Sequence, residues 1–219
     1  MKRYSTGYLL SVAAIAAASA ILLVAGNWLA YATIAVPLLN AVVIGVWTLP
    51  FAAAMRLLPL PGTALLVGLF SGILMGPFQP DGFRAVFVNL WYAFFFELVF
   101  AVVLYRVRAT WFFLLAGAVN GAVWGVSYAI SVDAGSFPLW VQIGLPVVGA
   151  LASAAWAWLG VVVADALAAR GVGAGTRRAI ARAEEAARAE KAAKAAKAAG
   201  ADAGSPAAPA DAAGSGSGE

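Results

Sequence analysis

The chain has 219 residues, 63 % of them hydrophobic and only 11 % charged, with a formal net charge of +4. That balance lies far outside the range of soluble domains and points to a membrane protein, and the charge pattern gives nucleic-acid binding no support. Having neither Cys nor His, the chain excludes disulfides, thiolate metal sites, thiol nucleophiles, Ser-His triads and the usual zinc or haem centres.

Six apolar segments follow one another, at about residues 8–26, 33–55, 62–76, 84–105, 110–131 and 138–168. They are of a length to cross a hydrocarbon core about 30 Å thick, except that the third is short for a full crossing and either borrows flanking residues or ends inside the protein. Turn chemistry separates them: Leu-Pro-Leu-Pro-Gly at 58–62, Gly-Pro-Phe-Gln-Pro-Asp-Gly at 76–82 and Asp-Ala-Gly-Ser-Phe-Pro at 133–138. Pro37, Pro50 and Pro146 fall in or near spans and predict kinks whose freed carbonyls need neighbouring partners. Lys2-Arg3, an apolar stretch and Ala18-Ser19-Ala20 imitate a cleavable signal. The apolar run continues through 21–25, however, so an uncleaved first helix is expected.

Lys2, Arg3, Arg56, Arg106, Arg108 and Arg170 gather on one side of these spans, whereas the opposite loops hold only Asp81, Arg84 and Asp133. The positive-inside rule then makes both termini cytoplasmic, and Trp28, Tyr31, Trp111 and Trp140 fit interfacial belts. The expected fold is all-α, a polytopic bundle of six transmembrane helices over residues 1–170. Residues 171–219 form a cytoplasmic tail: an Ala-rich charged helix at 176–199, with Glu184/Arg188 and Glu190/Lys194 at i,i+4, then a disordered stretch at 200–219.

Glu97 stands within twenty otherwise uncharged residues, 86–105. Facing lipid, it would cost roughly 2.5–3.5 kcal/mol on insertion scales, so it is expected to face the bundle interior. Asn89, Ala93, Phe96, Glu97 and Phe100 share one face of the fourth helix. Asn120, Trp124, Ser127, Tyr128 and Ser131 share a face of the fifth, thinned by Gly117 and Gly121. Glu97 lies nine residues before Arg106 and Asn120 ten after Thr110, so on antiparallel helices they sit at similar depth. A carboxylate, an amide and two aromatic rings would line a pocket open to the outside, suited to a small, flat, polar ligand. The alternative is that Glu97 and Asn120 bond each other as interhelical glue and the rings fill core. Asn89 and Gln79 are further ligand candidates. Trp140 and Gln142 project to opposite sides of an ideal helix, so at most one faces the pocket. In the first helix, Ala13-x3-Ala17 and Ala16-x3-Ala20 form small ridges that permit close helix contact.

These features together resemble the substrate-binding S component of an energy-coupling-factor vitamin transporter. Pro61-Gly62-Thr63-Ala64-Leu65-Leu66, the turn to Asp81-Gly82 and Phe96-Glu97-Leu98-Val99-Phe100 resemble its YkoE-like branch, associated with thiamine or its hydroxymethylpyrimidine moiety. The resemblance spans residues 4–168. It implies capture of a vitamin on the outer side of the cell membrane, without catalysis or a cofactor of its own. It also implies partnership with a transmembrane coupling subunit and two cytoplasmic ATPases. The family's coupling-subunit contact would map onto Ala13, Ala17 and Ala20, its pyrimidine-binding glutamate onto Glu97, and its stacking residues onto Trp124 and Tyr128. No Gly-rich phosphate loop with Lys is present, which agrees with ATP use by a partner. An S component for another vitamin, an integral-membrane lipid enzyme and a non-catalytic scaffold are the competing readings. Asp81, Asp133 and Glu97 form no paired-carboxylate metal motif that would favour the enzyme.

Overall fold

The computed structural model describes residues 4–203. By their contacts the residues divide into two units, 1–177 and 178–219. Among the described residues the regular structure is entirely helical. In the first unit the spans are α1 (Thr6–Thr33), α2 (Pro37–Leu57), α4 (Arg84–Val102), α5 (Thr110–Ser131) and α6 (Leu139–Ala169). These five are long and apolar enough to cross a membrane. Helix α3 (Thr63–Met75) is shorter and continues into a 3-10 turn at Gly76–Phe78.

Helix α1 outruns its expected end at residue 26 by seven residues. One Gly does not stop a helix that meets no Pro until Pro37, and Gly26 lies close under Val46 of α2. Pro37 opens α2, where its missing N–H is harmless. Midway, Pro50 cannot donate to the helical ladder, and α2 tightens to a 3-10 turn at Gly45–Trp47. The hydroxyl of Thr48 donates to the carbonyls of Gly45 and Ser153, both at 2.8 Å, tying the irregular turn to α6.

The six helices close a ring: α1 packs on α3, α3 on α4, α4 on α5, α5 on α6, α6 on α2, and α2 on α1. Several helix contacts are close enough to require glycine, and two illustrate them. A Cβ at Gly72 would lie 2.7 Å from the Val86 backbone of α4, and one at Gly121 would overlap the Gly149 carbonyl of α6. Phe51, Phe96, Phe100, Phe112 and Phe113 fill the centre. Chain direction alternates, so the unit has two ends. The starts of α1, α3 and α5 and the ends of α2, α4 and α6 form a basal end. The Thr33–Pro37 turn, the 76–83 segment and the 132–138 loop form a distal end.

Helix α7 runs from Ala174 to Ala203. Lys194 donates to Glu190 at 2.7 Å, both side chains being exposed, as the i,i+4 spacing predicts. The Glu184 side chain lies outside the described residues, as does 204–219. Residues 200–203, expected to be disordered, belong to the helix.

Candidate functional site

Glu97 is buried, 2 % exposed, on the expected face of α4 with Asn89, Ala93, Phe96 and Phe100. Its partners differ from the expected ones. One carboxylate oxygen accepts the N–H of Gly62 and, at 2.9 Å, the hydroxyl of Tyr105; the other accepts the N–H of Leu65 at 3.0 Å. Glu97 therefore caps the N-terminus of α3 from a neighbouring helix, where orphan N–H groups and the helix dipole favour a carboxylate. Gly62, at φ 81°, makes the left-handed turn that presents these donors.

Tyr105 reaches Glu97 through a costly turn. Leu104 and Tyr105 have φ of 53° and 57°, a left-handed conformation that costs roughly 1–2 kcal/mol per non-Gly residue. The Tyr105 N–H closes the turn on Phe100 O at 2.8 Å. Around the same basal loop, Tyr8 and Thr63 share a hydroxyl hydrogen bond of 2.8 Å, Tyr4 donates to Pro61 O and Arg108 to Pro59 O. Arg56 pairs with Asp165 at 2.9 Å and also donates to Arg108 O. The basal acid is thus fully engaged by the fold.

Asn120 is buried on α5 but is no partner of Glu97, and its Nδ2 has no hydrogen bond. Trp124 and Tyr128 stack on each other, centroids 4.9 Å apart and planes at 13°, and pack half-buried beside Ala41, Val141 and Leu145. Ser127 donates back to Val123 O within its helix. Trp140 is 67 % exposed, whereas Gln142 is half-buried and donates to Phe137 O. With Asp133, Gln142 lines an open cavity of about 460 Å³ between α5 and α6. In α1, Ala13 and Ala17 are exposed and Ala20 is buried. Ala17 and Ala20 line an apolar groove of about 360 Å³ with Leu74 and Phe78.

A second polar centre lies at the distal end. Asn27, Trp47, Met75, Gln79, Asp81, Ala85, Val88 and Asn89 surround a void of about 20 Å³. Three of its buried polar atoms have no partner: Trp47 Nε1, Gln79 Nε2 and Asn89 Oδ1. An unsatisfied buried polar group costs about 1–3 kcal/mol, so three around one void call for a small polar occupant, a water or a ligand group, to pair with them. The amide of Asn89 is fixed by donating to Ala85 O at 2.9 Å and to Met75 Sδ at 3.0 Å, which turns its oxygen free. The indole of Trp47 stacks on Tyr92 at 5.7 Å. Above them the extension of α1 closes on the 76–83 segment: Asn27 donates to Gln79 Oε1, and the Tyr31 hydroxyl donates to Asp81 Oδ2 at 2.6 Å.

Of the candidates read from sequence, the fold brings Asn89 and Gln79 together here. Glu97, eight residues along α4 from Asn89, is about 12 Å away along the axis. Trp47, Asn27 and Met75 were not singled out from sequence. Asn27 lies beyond the expected end of its span, and a lone Trp or Met in an apolar run carries no periodic signal.

The family model described as "ABC-type cobalt transport system, permease component" matches residues 8–123, just over half of the chain. A solved structure, "Crystal structure of an S-component of ECF transporter", is 20% identical, with a TM-score of 0.70 over 87% of this chain and 97% of that one. No curated protein matches.

Proposed function

Because the chain belongs to the permease-component family of ABC-type cobalt transport systems, we propose that it is the substrate-capturing subunit of a membrane importer. It would be an S component for a small organic ligand, thiamine or hydroxymethylpyrimidine, rather than for the metal. The likeness of fold to an S component supports the first part. The observation that carries the second is the distal void with its three unpartnered polar atoms. Two are donors, Trp47 Nε1 and Gln79 Nε2, and one is an acceptor, Asn89 Oδ1. An aminopyrimidine presents the complement: ring nitrogens that accept and an exocyclic amine that donates. Cobalt fits this chain poorly. Imidazole and thiolate, the nitrogen and sulfur side chains that hold later first-row metals, are absent because the sequence has no His or Cys, and the described residues hold no group of three His, Cys, Asp or Glu.

A void of this size accepts about one water molecule, so capture requires the rim to part. The bonds Asn27–Gln79 and Tyr31–Asp81 are what separates when α1 and the 76–83 segment move apart. The distal end faces outward and both termini face the cytoplasm, in line with the Arg-rich basal loops. The exposed Ala13–Ala17 ridge of α1, with Ala20 beside it in the groove, is the surface for a transmembrane coupling subunit, which two ATPases energise. The chain itself hydrolyses nothing.

Titration of the purified protein with thiamine and with hydroxymethylpyrimidine, followed by tryptophan fluorescence and native mass spectrometry, tests this reading. Saturable binding is expected, weakened at least about tenfold by Asn89→Leu or Trp47→Phe, since each leaves a ligand group unpaired. Saturable binding of cobalt with none of either organic ligand would overturn it in favour of metal transport.

A further inference from the structure

The void is not electrically neutral at its rim. Asp81 is the single ionisable residue among those that surround it. It is exposed, and its carboxylate is oriented by the 2.6 Å bond from Tyr31. No ion pair neutralises it: the ion pairs among the described residues join Arg56 to Asp165 and Lys194 to Glu190. Arg84, three residues further on, is exposed and makes no ion pair with it, although its charge reaches the Tyr31 hydroxyl that holds the acid. Beneath this acid the lining changes character. Trp47, Gln79 and Asn89 are neutral, buried and each short of one hydrogen bond. The site therefore has two chemically distinct zones, an uncharged donor–acceptor floor and an anionic mouth.

We propose that Asp81, held by Tyr31, is a specificity residue that makes this site prefer cationic ligands. The neutral, hydrogen-bonding ring of the ligand occupies the floor and its positive group rests at the carboxylate. The inference rests on the distal site being the ligand site. Tyr31 gives the carboxylate one fixed partner and leaves its other oxygen free for the incoming charge. An opposite charge at a solvent-facing rim is worth little unless the acid is preoriented, and it is screened by salt. The preference is therefore expected to be moderate and dependent on ionic strength.

Thiamine, a thiazolium cation, and hydroxymethylpyrimidine, neutral at pH 7.5, are suitable probes because they share the pyrimidine ring. Both are titrated into the purified full chain, as wild type, Asp81→Asn and Tyr31→Phe, at low and high salt. Asp81→Asn is expected to weaken thiamine about fivefold while leaving hydroxymethylpyrimidine within about twofold, and to reduce the salt dependence of thiamine binding. Tyr31→Phe is expected to give a smaller loss for the cation only. Melting temperatures of the variants, close to wild type, show that they fold. Equal losses for both ligands, or none for either, would overturn the charge preference while leaving the ligand site standing. Wild-type protein that binds neither probe would overturn the ligand site and this inference with it.

Discussion

Glu97 shows how one residue can be legible in kind while its hydrogen-bond partners are not. A carboxyl group so deep in an apolar run had to find partners within the protein, and it does. Those partners are two backbone N–H groups and a phenol at the basal end, not an amide on α5. Sequence spacing places side chains on a face, but it cannot reveal that a helix terminus from elsewhere in the chain abuts that face. Glu97→Gln keeps one oxygen and sets an amide N–H against a backbone N–H, which costs about 1–3 kcal/mol. A lower melting temperature in detergent is therefore expected, with ligand binding retained below it. Loss of binding at an unchanged melting temperature would instead return Glu97 to the ligand site. Tyr105→Phe removes one of the three donors and is expected to give a milder version of the same effect.

At the scale of elements, the segments were legible because hydropathy and turn chemistry are local. All six expected segments correspond to helices, and the second tightens to a 3-10 turn just before Pro50, where irregularity is predicted. The boundaries were less so. Helix α1 runs on to Thr33 because its extra turns are held by Asn27 and Tyr31 bonding a segment fifty residues away. Close packing also sets limits that composition hides. Gly121 faces the Gly149 carbonyl so closely that no side chain fits between α5 and α6. Gly121→Leu is expected to cost at least about 2 kcal/mol, read as a lower melting temperature or loss of folded protein on size-exclusion chromatography. Ala118→Leu, on the half-buried side of the same helix, is the milder control.

For the whole molecule, alternation of chain direction gathers polar side chains from four segments, α1, α2, α4 and 76–83, at one end. The Arg-rich loops collect at the other. Orientation in the membrane is the corresponding prediction, and the chain is well suited to testing it because it contains no Cys. In intact cells, Ser136→Cys at the distal end is expected to react with a membrane-impermeant maleimide. Ala109→Cys at the basal end should react only after permeabilisation. The reverse pattern would place the distal site on the cytoplasmic side and contradict capture from outside.

By itself the sequence determined that this is a helical membrane protein with six apolar segments, a buried acid, and no Cys or His chemistry, because composition and hydropathy act locally and do not depend on which helices meet. Only the tertiary structure decided which polar groups share a site. It closed the helices into a ring, spent Glu97 on capping α3, and set Trp47, Gln79 and Asn89 around one void under Asp81. Such groupings arise from packing between segments far apart in the chain, where a hydrogen bond satisfied or left open depends on positions that no local pattern encodes.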